Sequence, residues 1–240
     1  MTHAGDRECD AGEFLERLEA LRPPEARGSR RRGESSGEPD EFMDVPMRHV
    51  FQLARECMVM GPGEIERLLE SPVHEVRVGA VSVMDWQARA KRTPEARRAE
   101  LFHLYLRRHD RINHWDLVDR AAPHVVGGYL QDRPRDVLYR LARSGNPWER
   151  RTAIVSTYHF IQRGDVEDTF GVAGILVHDP HELVRKAVGG WVREAGKRDP
   201  RRLLSLLDEY AATMPRTMLR YAIEKLDASQ RRHYMGLNPR

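Results

Sequence analysis

An Arg-x-Ala tripeptide recurs along this chain as Arg120-Ala121-Ala122, Arg151-Thr152-Ala153, Arg185-Lys186-Ala187 and Arg220-Tyr221-Ala222, at steps of 31, 34 and 35 residues. Arg77-Val78-Gly79-Ala80 is an earlier relative. A period of this length, carried by paired helices, marks an α-solenoid in which each pair buries its apolar face on its neighbours. The small alanine lets adjacent helices approach closely. The arginine is expected to project from equivalent places, forming an arc able to track a charged polymer. Of 40 basic residues only Lys91, Lys186, Lys197 and Lys225 are lysine, leaving 36 arginines. Arginine suits phosphate through its planar fork of donors. A GC-rich coding bias accounts for the same excess, and chance recurrence of Arg-x-Ala is the competing reading.

Apolar spacing supports the helical reading. Phe14, Leu15, Leu18 and Leu21 repeat at helical intervals, and Pro23-Pro24 ends that segment. Residues 23–41 carry Pro, Gly and Ser without apolar periodicity and read as a long loop with room for one short helix. Beyond them, helices are expected at about 46–59, 62–70, 73–91, 95–107, 114–130, 135–144, 147–163, 166–178, 181–196, 200–209 and 214–226. Pro62, Pro72, Pro147, Pro180 and Pro215 stand near helix starts, where a missing N–H costs nothing. No stretch alternates cleanly enough for a strand. The fold expected is all-α, a single domain over residues 1–240.

Several classes are set aside. No apolar run approaches the ~20 residues that span a bilayer, and the polar start Met1 to Asp10 is unlike a secretory signal. Cys9 and Cys57 form no spacing motif, so no disulfide framework is expected and a reducing cytoplasm is the default. The chain lacks C-x-x-C, H-E-x-x-H, G-x-S-x-G and Gly-rich phosphate-loop motifs. Its eleven histidines are scattered, so no metal site is expected. The small lysine count disfavours Schiff-base chemistry.

The densest functional cluster is Asn113-His114-Trp115-Asp116-Leu117-Val118-Asp119. On a helix, Trp115 and Asp119 share a face at i and i+4, while Leu117 and Val118 turn toward the core. A carboxylate beside an indole is suited to a cationic group, because the ring face attracts positive charge. The alternative is a plain helix start, with Asp116 at the positive end of the dipole and Trp115 buried. His114-x-Asp116 also fits the H-x-D spacing of iron-dependent dioxygenases, whose ligands belong on strands not expected here.

At this cluster the sequence resembles the AlkD-like DNA alkylation-repair glycosylases. The likeness runs from about Phe42 onward and is carried by SPVHEVRVGAVSVM (Ser71–Met84), DRINHWDLVDRAAP (Asp110–Pro123), PWERRTAIVS (Pro147–Ser156), LVRKAVGGWVREAGKR (Leu183–Arg198) and MPRTMLRYAIEK (Met214–Lys225). The resemblance implies a HEAT-like repeat α-solenoid, C-shaped, with a concave basic cleft for double-stranded DNA containing alkylated purines. It implies hydrolysis of the N-glycosidic bond of N3- or N7-alkylated purines by a cytoplasmic, monomeric enzyme with no metal or other cofactor. By motif, Trp115 and Asp119 match the family's catalytic Trp and Asp, and Arg151 matches an arginine at the DNA backbone. Arg150, Arg185, Lys186 and Arg216 are further DNA-binding candidates.

Two departures bear on the substrate. The family reads A-(I/V)-G-W where this chain has Ala187-Val188-Gly189-Gly190-Trp191, which moves Trp191, a candidate wall of the cleft, by one position, about 100° around the helix. Ser35-Ser36 stand where many relatives have Tyr. Both changes point to a wider site able to take bulky N3-adenine adducts as well as, or instead of, N7-methylguanine, the alternative being that Trp191 turns back and the site is ordinary. Some members of the family protect antibiotic producers from bulky alkylators of the yatakemycin type. The alternatives are a HEAT-repeat DNA-binding protein without catalysis and a protein-interaction scaffold.

Overall fold

The computed structural model describes residues 9–26, 31–35 and 38–237. Position 36, part of the Ser35-Ser36 departure, lies outside them. The helices begin where local chemistry satisfies their orphan N–H groups. Asp10 caps α1 (Ala11–Ala20) by accepting from the Glu13 N–H at 2.8 Å, and Asn146 caps α8 (Pro147–Ser156) by accepting from Trp148 at 2.9 Å. Pro62 opens α3 (Pro62–Leu69), and Pro200 opens α12 (Pro200–Tyr210). Pro72, Pro180 and Pro215 stand just ahead of α4 (His74–Arg89), α11 (Glu182–Gly196) and α13 (Arg216–Ala222).

The chain divides into two units at Ala121–Ala122. In the first, α2 (Met47–Glu56), α4 and α6 (Trp115–Ala121) pack side by side, with α3 and α5 (Glu95–Arg107) against α4. α4 is buried nearly all round, from His74 to Ala88, as a central helix must be. The second unit repeats the scheme. There α8, α11 and α13 are neighbours, while α7 (Asp136–Ala142), α10 (Glu167–Leu176) and α12 pack behind them. Every alanine of the recurring tripeptides is buried (Ala80, Ala122, Ala153, Ala187 and Ala222), as close helix packing requires. Among the described residues no helix is long and apolar enough to cross a membrane.

Four expectations are corrected. Residues 23–41 are not a plain loop: β1 (Arg31–Ser35) pairs antiparallel with β2 (Glu38–Phe42), Arg31 opposite Phe42. This hairpin carries no apolar alternation because polar bonds hold β2: the Glu41 N–H donates to Pro72 C=O at 3.1 Å, and buried Asp40 takes ionic partners from α4. Cys9 and Cys57 are joined in a disulfide, because α1 and α2 bring their Cα atoms to 5.2 Å, a proximity that a separation of 48 residues does not encode. The helix expected over 114–130 ends as α6, then widens into a π turn over Ala122–Gly127, since Pro123 has no N–H to continue the ladder. The helix expected over 147–163 breaks at Thr157 into α8 and α9 (Tyr158–Ile161). A last helix, α14 (Ala228–Leu237), escapes periodicity because only Tyr234 of it is buried; Asp227 starts it by accepting from the Ser229 and Gln230 N–H groups.

The Gly189-Gly190 pair divides its labour. A Cβ on Gly189 would stand 2.5 Å from the Met218 carbonyl and 2.7 Å from Tyr221 Cβ, so this glycine lets α11 and α13 touch. A Cβ on Gly190 would meet nothing within 4 Å. Gly189→Ala is therefore expected to destabilise by about 1–3 kcal/mol. Gly190→Ala is expected to stabilise by about 0.5–1 kcal/mol, through the lower chain entropy of alanine. Thermal melts of the two variants check this; similar shifts in the same direction would contradict it.

Candidate active site

α6 begins one residue after His114, and its first turn is held by ionic bonds from two other elements. β2 presents Asp40 and α4 presents His74 and Arg77, all three buried. His74 lies between two carboxylates: Nδ1 donates to Asp40 Oδ2 at 3.2 Å and Nε2 donates to Asp116 Oδ2 at 2.8 Å. His114 Nδ1 donates to the other oxygen of Asp116, and its ring meets His74 edge-on with centroids 4.8 Å apart. Arg77, 1% exposed, donates to Asp40 and reaches Asn113 Oδ1 at 2.7 Å. Arg111 ties the same loop back to the end of α3, through Leu69 C=O at 3.0 Å and Ser71 C=O at 2.8 Å.

The electrostatics follow from these contacts. Burial alone would lower the His74 pKa, but the bonds to Asp116 and Asp40 and their charges outweigh it and raise it to about 9. His74 is thus a buried imidazolium at neutral pH. Burial would raise the pKa of Asp116, yet the bonds from His114 and His74 and the His74 charge hold it well below the usual carboxylate range. The donor atoms of His74, His114 and Asp116 lie within 4.8 Å of one another, a spacing that would admit a divalent ion. In this structure they satisfy one another, as a charged clamp on the α6 N-terminus.

This clamp sets the two residues at the centre of the sequence reading. Trp115, the first residue of α6, is 44% exposed, which rules out the buried-indole alternative. Asp119, one turn on, is half-buried, and Leu117 and Val118 between them are fully buried in the core. The result is an exposed indole and a partly shielded carboxylate, one helical turn apart, on a helix whose start cannot readily shift. Asp116 faces inward instead, onto His74.

The remaining candidates lie in the second unit, and the repeat arginines are not equivalent there. Arg151 is buried, 7% exposed, with Nη1 donating to the Leu183 carbonyl. Arg150 is directed at buried Asp179, with Nε at 2.6 Å, and also donates to Ser144 C=O and Gly145 C=O. Arg185 Nε donates to the Asp179 carbonyl at 2.5 Å. Lys186 pairs with Glu182 at 2.7 Å at the surface, and Arg216 bonds the Met235 carbonyl at 2.8 Å. Trp191 is half-buried, its ring 4.8 Å from that of Tyr158.

Asp40 and His74, and the part that Arg77 and Asn113 play in the clamp, are what sequence reasoning missed. His74 and Arg77 fall in the quoted stretch HEVR, but the partners of that stretch lie 34 to 42 residues away and no linear spacing announces them.

Comparison with known proteins bears on the whole arrangement. A search of curated proteins finds no match. Among solved structures, one described as a predicted DNA alkylation repair enzyme from Enterococcus faecalis superposes with a TM-score of 0.63 over 79% of this chain and 90% of that one, at 16% identity. That likeness speaks for the fold. The family model of the DNA alkylation repair enzymes matches residues 14–226, nearly the entire chain and both units. The chain belongs to the DNA alkylation repair enzyme family.

Proposed function

We propose that this protein is a monofunctional DNA glycosylase that hydrolyses the N-glycosidic bond of cationic N3- or N7-alkylated purines in duplex DNA. The observation that carries the reading is the exposed Trp115 indole one turn from half-buried Asp119, on a helix start fixed by buried charges. An alkylated purine already bears a positive charge, so its bond to C1′ is weak and the base leaves neutral. The enzyme then has to stabilise the oxocarbenium-like sugar and direct water to C1′. Trp115 offers its π-face to the cationic nucleotide. Asp119 supplies negative charge opposite the developing cation and accepts a hydrogen bond from the attacking water. Water adds to C1′, its proton passes to the carboxylate or solvent, and the products are the free alkylpurine and an abasic site.

The test is base release from duplexes carrying N7-methylguanine, N3-methyladenine or a bulky N3-alkyladenine. We expect release of the bulky adduct as well, because the sequence departs at Ser35-Ser36 and at Trp191 from the aromatic residues of the family pattern. Tight duplex binding with no base released from any of them would favour a non-catalytic DNA-binding protein.

Arg151 is the proposed backbone contact. Phosphate contacts release counterions, so affinity should fall steeply with salt and depend little on sequence. Arg151→Ala is expected to weaken binding to unrelated duplexes alike and to lower the slope of log K against log salt by about 1. Because Arg151 also bonds the Leu183 carbonyl, the variant's melting temperature is read alongside. An unchanged slope in a folded variant would remove Arg151 from the interface.

A further inference from the structure

One residue beyond Asp119, Arg120 joins a group of guanidiniums gathered around one indole in the first unit. Trp86, near the end of α4, has Arg55 of α2, Arg89 of α4 and Arg120 of α6 at 5.3, 5.2 and 5.5 Å from its ring centroid. Arg120 also lies 4.7 Å over the Phe51 ring. Buried Asp85 is the carboxylate in reach, 3.5 Å from Arg89 and 3.3 Å from Arg120. Three positive charges thus face one negative charge.

That imbalance is costly without a further anion. Burial lowers the pKa of Arg120, and although Asp85 opposes this, the neighbouring Arg89 charge adds to it. Trp86 Nε1, shielded from water, meets no hydrogen-bond acceptor among the described residues, and Arg120 Nη2 has only its ion-pair contact with Asp85. Arg55 and Arg89 are exposed, so the cluster opens to solvent. Arg120 already donates Nε to Ser82 Oγ at 3.0 Å and meets Asp85 through Nη2, so the exposed guanidiniums of Arg55 and Arg89 are the ones placed to offer phosphate the fork geometry it accepts, with the Arg120 charge beside them. Two exposed guanidiniums from two helices, backed by a third positive charge, suit a polyanion better than a single small ion.

We propose that the Arg55–Arg89–Arg120 cluster around Trp86 is a phosphodiester anchor for duplex DNA, which grips the backbone whether or not a lesion is present. The proposal rests on the reading of this chain as an enzyme acting on DNA, and it adds an anchor on the same unit as Trp115 and Asp119. It also gives the repeat arginine of α6 a role that buried Arg77 does not share.

The experiment uses the full chain, an undamaged fluorescent duplex and salt titration from 50 to 200 mM. Arg55→Gln with Arg89→Gln leaves Trp115, Asp119 and Arg120 in place. It is expected to weaken binding about tenfold or more at low salt and to lower the slope of log K against log salt by about 2. Arg55→Lys with Arg89→Lys keeps the charge and is expected to keep most of the slope. Melting curves confirm that both variants fold. Affinity within twofold of wild type with an unchanged slope overturns the proposal, as does an equal loss of slope in the lysine variant. A third arm uses inorganic phosphate alone. If it raises the melting temperature of wild type but not of the glutamine variant while duplex affinity is unchanged, the site holds a free anion and the backbone assignment is overturned. Because the duplex is undamaged, a chain that binds it through these arginines but releases no base defeats only the glycosylase reading.

Discussion

Asp119→Asn is expected to slow single-turnover release of an alkylpurine by about 10²–10³-fold, the usual cost of removing one group aimed at transition-state charge. The substitution keeps the size and planarity of the side chain and removes the negative charge opposite the sugar cation. Duplex affinity should hold or rise slightly, because a negative charge near phosphate disappears. Residual excision is expected, since the cationic base labilises its own bond. The comparison that decides the assignment is Asp116→Asn. Asp116 is tied to His74 and His114, so its loss should act through the fold and show in the melting curve. Asp119→Asn should fail in chemistry by more than any change in its melting curve, read alongside, accounts for. If the Asp119 variant releases base at close to the wild-type rate while a folded Asp116 variant does not, the catalytic carboxylate has been misassigned.

Those two aspartates also show what a linear reading can and cannot reach. The i, i+4 relation of Trp115 and Asp119 is local, so helical periodicity alone places both on one face. The buried alanines of the repeat are legible for the same reason: each marks the face of its own helix. The arginines beside them are not. Arg77 and Arg151 are buried, Arg120 lies against Trp86, and Arg220 is exposed, because each environment is set by partners on other helices. Distant partners likewise hide the Cys9–Cys57 link and the β1–β2 hairpin. The hairpin matters to the site even though its sequence looks like a loop. It delivers Asp40 to His74 and Arg77, and the Met43 and Asp44 N–H groups beyond it donate to buried Glu75 at 2.9–3.1 Å.

The clamp itself carries the second large effect. His74→Ala removes the cation shared by Asp40 and Asp116 and leaves two partly buried carboxylates facing each other's field, with Arg77 as the remaining partner of Asp40. Breaking a buried ion pair from one side costs about 3–5 kcal/mol. In a chain of this size that corresponds to a fall of roughly 6–20 °C in melting temperature. The effect must also depend on pH in a defined direction. The folded-state pKa of His74, about 9, lies above its ordinary value of 6.5. Its contribution to stability is therefore complete below about 6.5 and is lost as pH rises through 9. Asp116, whose pKa is lowered, contributes above the ordinary carboxylate range and loses that contribution in acid. The groups facing His74 are Asp40 from β2, Arg77 from α4, and His114 and Asp116 at the start of α6, and they all survive the substitution. The gap in melting temperature between wild type and His74→Ala should thus be widest near pH 6 and narrow markedly by pH 9. Base release should fall with it, because α6 carries both Trp115 and Asp119. A gap that stays constant from pH 6 to pH 9 would mean that His74 is held neutral, and that the start of α6 is fixed by packing and not by charge.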